Sequence, residues 1–219
     1  INEPKMIKII YMSKISKFDF SGAEIDSAAA ENRLLSMEIE FSRACNYRCP
    51  YCYVPDAAVP PDELTPDEIR SALRQASELG AKKIVVLGGE PFLFPRLFEM
   101  IDHINSLGMT AEIFTNGSLI SAENAGRLFR AGVCMSIKLN SLDPDIHDEL
   151  TGEKDSLDTA LRAIAILKDA GYSKDENGML AASSIISSRN IEGMASLWRW
   201  LRQERITPHF EIITPQGCA

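Results

Sequence analysis

Six short apolar runs, each separated from the next by a stretch with helical periodicity, leave this chain few folds to adopt. The runs are "MEIEF" (37–41), "KIVVLG" (83–88), "AEIFTNG" (111–117), "VCMSIKL" (133–139), "MLAASSII" (179–186) and "FEIIT" (210–214). Each is rich in Val, Ile or Phe, and several are apolar nearly throughout, the pattern of parallel strands covered on both faces. The first intervening helix is announced by "TPDE": Thr65 can cap, Pro66 suits the first helical position and Glu68 completes a capping box. It continues through Ile69, Leu73, Ala76 and Leu79 to Gly80. A second starts at Pro95 and repeats Leu97, Phe98, Ile101, Ile104 and Leu107 before Gly108. A third covers about residues 122–131, a fourth is "SLDTALRAIAILKDAG", and a fifth holds Met194, Leu197, Trp198 and Leu201. Strands alternating with helices in this way predict an α/β fold whose parallel strands are joined by right-handed crossovers. A doubly wound open sheet and a barrel-like curl both satisfy the pattern.

Residues 1–36 read as an irregular or hairpin-like lead-in, with "KMIKIIYMSK" extended, and residues 37–219 as the core. The start at Ile1 and the stop just after the sixth run read as the ends of a fragment. With 45% hydrophobic residues the chain has ample material for one buried core. Its net charge of −8 lacks the basic footprint of a nucleic-acid or anionic-membrane surface. No apolar run reaches the roughly 18 residues that span a bilayer, so a soluble, cytoplasmic protein is expected.

Five cysteines, Cys45, Cys49, Cys52, Cys134 and Cys218, cannot all pair as disulfides. Three of them fall in "CNYRCPYC", spaced C-x3-C-x2-C directly after the first strand. That places them at the C-terminal edge of the sheet, where parallel α/β folds bind ligands. Cys134, inside an apolar run, reads as an inert core thiol; Cys218 carries no assignment. A structural zinc site wants four ligands, yet only His103, His147 and His209 are available and none has a ligand's spacing. The "CPYC" tetrapeptide has the form of a redox dithiol and resembles the active site of glutaredoxins, a reading that leaves Cys45 without a role. A [4Fe–4S] cluster normally takes four thiolates. Three leave one iron open to a small molecule that chelates through nitrogen and oxygen, as an amino acid's amino and carboxylate groups do.

Most of the chain resembles the radical SAM superfamily. Its loop carries C-x3-C-x-Φ-C with Φ aromatic, here Cys45, Cys49, Tyr51 and Cys52. "LGGEP" supplies a second likeness: Gly88, Gly89, Glu90 and Pro91 match a motif that receives the methionyl amino group of S-adenosylmethionine (SAM). Two glycines allow close backbone approach, and a carboxylate attracts an ammonium. The resemblance implies a six-fold (β/α) partial TIM barrel. It also implies a [4Fe–4S] cluster on the three cysteines and SAM bound at the open iron. Reductive cleavage to a 5′-deoxyadenosyl radical would follow, and then hydrogen abstraction from a substrate. Tyr51 would lie by the adenine. Thr115 and Asn116 of "FTNG" would face the cofactor or substrate. Lys138 and Asn140 stand where many relatives have a serine and then an aspartate contacting the ribose; Lys138 departs from that pattern. Ser184 on the fifth strand is a further candidate. Tyr47, Tyr53, Trp198 and Trp200 read as packing residues.

The "CNYRCPYCY" loop and compact core resemble the subgroup with a cysteine-rich C-terminal extension, the SPASM or twitch type. That implies a peptide or protein substrate and a maturase-type oxidoreductase, served by an electron donor such as flavodoxin or ferredoxin. A small-molecule dehydrogenase or mutase is the alternative within the family. A glutaredoxin-like oxidoreductase using Cys49 and Cys52 is the alternative outside it.

Overall fold

The computed structural model describes residues 18–54, 62–172 and 179–212. Six strands pair in the order of the chain: β1 (Ser36–Glu40), β2 (Lys83–Leu87), β3 (Thr110–Thr115), β4 (Cys134–Lys138), β5 (Leu180–Ile186) and β6 (Thr207–Ile212). Every neighbouring pair is parallel. β1 and β6 stand at opposite ends of the strand order, while residues from all six strands line one cavity. The sheet is therefore a curled half-barrel, the six-fold partial TIM barrel expected from the resemblance, and not a flat doubly wound sheet.

The two faces of the sheet differ more than the apolar runs imply. Ile84, Val86, Ala111, Ile113, Met135, Ile137, Leu180 and Ala182 point outward into the hydrophobic core beneath the helices. The alternate positions, among them Lys83, Glu112, Ser136, Lys138, Ser183 and His209, point into the lumen. The expectation of strands covered by apolar groups on both faces is corrected here: the inner face is largely polar and lines a cavity.

The five expected helices are present as α2 (Pro66–Glu78), α3 (Leu97–Ser106), α4 (Ala122–Arg130), α6 (Ser156–Ala170) and α7 (Met194–Gln203). The capping box at Thr65 forms with both of its bonds to Glu68. Each helix buries one stripe, such as Ile69, Leu73 and Ala76 of α2. Leu73 is fully buried, and truncation of such a leucine to Ala costs about 2–5 kcal/mol. Two helices were not expected. α1 (Gly22–Ala30) is capped by Ser21 in a box with Glu24, and α5 (Pro144–Thr151) is capped by Asp143 with Pro144 in its first turn. The described part of the lead-in is thus helical and docked. Leu34 N donates to Leu79 O at 2.9 Å, Lys82 N donates to Leu35 O at 2.9 Å, and the Lys83 ammonium donates to Phe18 O. "KMIKIIYMSK" and Cys218 lie outside the described residues.

Candidate active site

The lumen encloses a cavity of about 980 Å³, and the loop after β1 forms one wall of it with Cys45, Cys49, Tyr51 and Cys52. Three parts of the chain hold that loop. The turn after β2 runs against it: Gly89 N donates to Ser42 O at 3.0 Å and Glu90 N to Ala44 O at 2.7 Å. A Cβ on Gly89 would sit 2.1 Å from Ala44 O, and one on Gly88 2.4 Å from Ser42 O. The Gly-Gly pair is therefore required by the cysteine loop itself, beyond any approach to a ligand. On the other side Gly152, the left-handed cap of α5, packs against Arg48 O, where a Cβ would come to 2.1 Å. Arg48 Nη1 donates to the carbonyls of Cys45 and Tyr47, both at 2.8 Å. Asn46 bonds to Asn116 and Ser118 beyond β3, each at 2.9 Å.

Three free thiols line this one wall. Burial pushes the Cys49 thiol up to about 11, against the opposing pull of the Lys138 ammonium. Burial likewise raises Cys45, and the neighbouring Glu90 and Cys52 add to it. Such thiols stay protonated until a bound cation displaces the protons. That is the reverse of a redox dithiol, whose attacking cysteine has a lowered pKa. Among the described residues no three His, Cys, Asp or Glu side chains converge as ligands of one metal ion do. A cubane takes each thiolate on a different iron, and three thiols on one wall supply three of the four. Cys134 is 2% exposed, in the core, and does not line the cavity.

Glu90 is 1% exposed and already engaged by the chain. Its Oε1 accepts from Phe92 N at 3.1 Å and Thr115 Oγ1 at 2.7 Å, and its Oε2 accepts from Asn116 N at 2.8 Å. Burial raises its pKa, with these three bonds opposing. The carboxylate thus ties the β2 turn to the end of β3. Of about four lone-pair sites it keeps one for anything else.

Tyr51 is anchored from behind. Its hydroxyl accepts from Asn140 Nδ2 at 2.8 Å, and its ring lies 5.2 Å from the Lys138 ammonium. Asn140 is fully buried. Its Oδ1 accepts from Ile185 N at 3.0 Å, its N donates to His147 Nδ1 at 3.1 Å, and its carbonyl accepts from Asn190 Nδ2 at 2.8 Å.

The structure brings Cys45, Cys49, Cys52, Tyr51, Gly88, Gly89, Glu90, Thr115, Asn116 and Lys138 to the cavity wall. It does not bring Pro91, Asn140 or Ser184 there. Pro91 is buried at the start of a 3₁₀ turn. Ser184 faces the helices and donates to Leu139 O, while Ser183, one residue earlier, faces the lumen. Sequence reasoning missed Asn46, Arg48, Gly152 and His147, which join only through the fold. It also missed Ser136, which follows from the period of two once Lys138 is set inward, and His209, which the register of β6 against Ser183 of β5 brings to the lumen. Tyr47 is buried, Trp200 packs on the core, and Trp198 is exposed on α7.

A family model described as the Radical SAM superfamily matches residues 39–181. The chain is 32% identical over 142 residues to an AdoMet-dependent heme synthase of Oleidesulfovibrio alaskensis, covering 64% of this chain and 36% of that protein. It is 32% identical over 187 residues to a GTP 3′,8-cyclase of Actinobacillus succinogenes, covering 83% of this chain and 54% of that protein. Among solved structures, Streptococcus suis SuiB bound to S-adenosylmethionine superposes with a TM-score of 0.71 at 18% identity, covering 88% of this chain and 44% of that one. The chain spans about half the length of the curated relatives it matches, or less.

Proposed function

This chain belongs to the radical SAM superfamily, and we propose that it is the part of the enzyme that binds SAM beside a [4Fe–4S] cluster and presents it to a substrate in the lumen. Enzymes of this family use that cluster and SAM as cofactors. The observation that carries the reading is the donor set: three free thiols on one cavity wall, with the remaining described cysteine in the core. Cys45, Cys49 and Cys52 hold the cluster. When bound, the cofactors supply an electron and a cleavable sulfonium, the source of a 5′-deoxyadenosyl radical.

The chain's own residues do the positioning. Gly88, Gly89 and Glu90 fix the cysteine loop and frame the methionyl end, with one Glu90 lone pair left for an ammonium. Thr115 and Asn116 hold the Glu90 carboxylate in place. Tyr51, buttressed by Asn140, lies where an adenine would pack. Pro91, Asn140 and Ser184 act through the fold and not by touching the cofactor. A reductant such as flavodoxin or ferredoxin delivers the electron.

For the substrate, a lumen of about 980 Å³ supports a small molecule ahead of a peptide, and the names of the sequence relatives point the same way. A peptide is the second reading, because β1 and β6 leave the half-barrel open along one side.

Anaerobic reconstitution tests the core claim. The wild-type chain should take up about four irons and four sulfides and form 5′-deoxyadenosine from SAM under dithionite. Replacing Cys45, Cys49 and Cys52 together by Ala should abolish both, and Cys134→Ala should leave iron content intact. A triple variant that still binds a full cluster, or iron-free disulfide reductase activity by Cys49 and Cys52, would refute the reading.

A further inference from the structure

We propose that Lys138, Ser136, Ser183 and His209 form an oxyanion subsite in the lumen that takes a phosphate or carboxylate group of the substrate. This rests on the radical SAM reading and adds the substrate's chemical class. The register of the sheet sets Lys138 opposite Ser183, and Ser183 opposite His209. Three polar side chains thus stand in one row on β4, β5 and β6, with strands about 4.8 Å apart. Ser136 precedes Lys138 by two residues on the same face, and all four line the cavity.

Two independent observations point to a ligand there. The Ser136 hydroxyl is buried, in a residue 1% exposed, and has no hydrogen-bond partner among the described residues. Buried hydroxyls are normally paired, so this one marks a partner supplied from outside the chain. Secondly, Lys138 stands outside the ion pairs of this wall, with the Cys49 thiol and the Glu211 carboxylate within electrostatic reach. Glu112 is paired with Lys83 at 2.9 Å, and Glu211 bonds to His209 Nε2 at 3.2 Å. Lys138 makes no ion pair among the described residues; its ammonium rests 5.2 Å from the Tyr51 ring centroid. An ammonium and two hydroxyls offer donors with one positive charge, the complement of an oxyanion, while His209, its Nε2–H held by Glu211, closes the end of the row. Phe114 packs edge-on against His209, ring centroids 5.8 Å apart, and makes one side of the subsite apolar.

The oxyanion could belong to the substrate or to SAM's own carboxylate, and competition separates the two. Cluster-loaded protein, with and without saturating SAM, is titrated with inorganic phosphate and, in parallel, acetate, followed by calorimetry. Wild type should bind at least one of the two anions saturably with SAM present, the tighter identifying the substrate's group. Lys138→Met should weaken that binding about ten-fold or more, as loss of a charge-assisted bond does. Ser136→Ala should weaken it several-fold while iron content and SAM affinity stay as in wild type. No saturable binding, equal binding by wild type and both variants, or competition between anion and SAM would overturn the proposal. Iron content and SAM affinity are read in the same samples, so failure of the radical SAM reading appears separately from failure of the subsite.

Discussion

At the scale of single residues, Glu90 has a role inside its own chain that its motif does not announce. "GGEP" points to a carboxylate for an ammonium; the fold gives that carboxylate three donors from its own chain. Glu90→Gln has a definite consequence on this geometry. Each carboxylate oxygen faces a backbone N–H, Phe92 on one side and Asn116 on the other. A glutamine must turn its NH₂ toward one of them, leaving a buried donor unpaired at a cost of about 1–3 kcal/mol. The variant should therefore unfold at lower denaturant even without SAM, and it should bind SAM more weakly as well. Denaturation of wild type and variant, each free of SAM, decides the point. Equal midpoints, with only SAM affinity changed, would return Glu90 to the simpler role of ammonium partner. Gly89 makes the same point, since the contact that forbids a side chain there comes from Ala44 O in a different loop.

Among the elements, what was legible is what local sequence determines. The six strands and five of the helices follow from runs, periodicity and caps, and their sequential order follows from strand–helix alternation. α5 carried the same punctuation as α2, a capping side chain followed by proline, yet its eight residues sit between stronger signals. That Ser183 and not Ser184 of β5 lines the cavity is a matter of parity, because one residue's shift exchanges lumen for core. The buttress behind Tyr51 was not legible: Tyr51, Asn140, His147 and Asn190 meet only when the cysteine loop, β4, α5 and the segment before α7 come together. That network carries its own prediction. His147 is 1% exposed, and its Nδ1 accepts from Asn140 N. Burial lowers its pKa from 6.5 to about 4; Lys138 adds to this and Asp148 opposes it. Below pH 6.5 the unfolded chain takes a proton that the folded chain refuses, so stability falls as pH drops through 6.5 toward 4. The full loss is on the order of 3 kcal/mol. His147→Gln can still accept from Asn140 N but has nothing to titrate. In anaerobic urea denaturation the wild type's advantage over His147→Gln should shrink steadily from pH 7 to pH 4.5. A gap that stays constant with pH would mean that His147 titrates alike in both states.

The whole molecule faces a problem that a closed TIM barrel avoids. A closed barrel fills its interior with layers of apolar side chains, whereas this half-barrel keeps its lumen for ligands and must stabilise a polar interior in another way. One end is tied together by Lys83 and Glu112, paired at 2.9 Å with side chains only 11% and 7% exposed. Lys83 also donates to Phe18 O and lies 5.5 Å from the Phe20 ring centroid, so the pair joins β2 and β3 to the segment leading into α1. Burial raises the Glu112 pKa, and Lys83 is the main force holding it down. A buried pair of this kind contributes little compared with well-packed apolar groups, but breaking it from one side leaves an uncompensated charge. Lys83→Met should therefore cost about 3–5 kcal/mol and speed amide exchange in α1, whose approach to the sheet depends on the Phe18 contact. Adding Glu112→Leu should recover most of that loss, since the double variant buries no charge. The measurement is a double-mutant cycle by denaturation, with exchange at α1 as the local readout. If the two single losses simply add in the double variant, the two side chains act independently, and the lumen's polar end is held by something other than this pair.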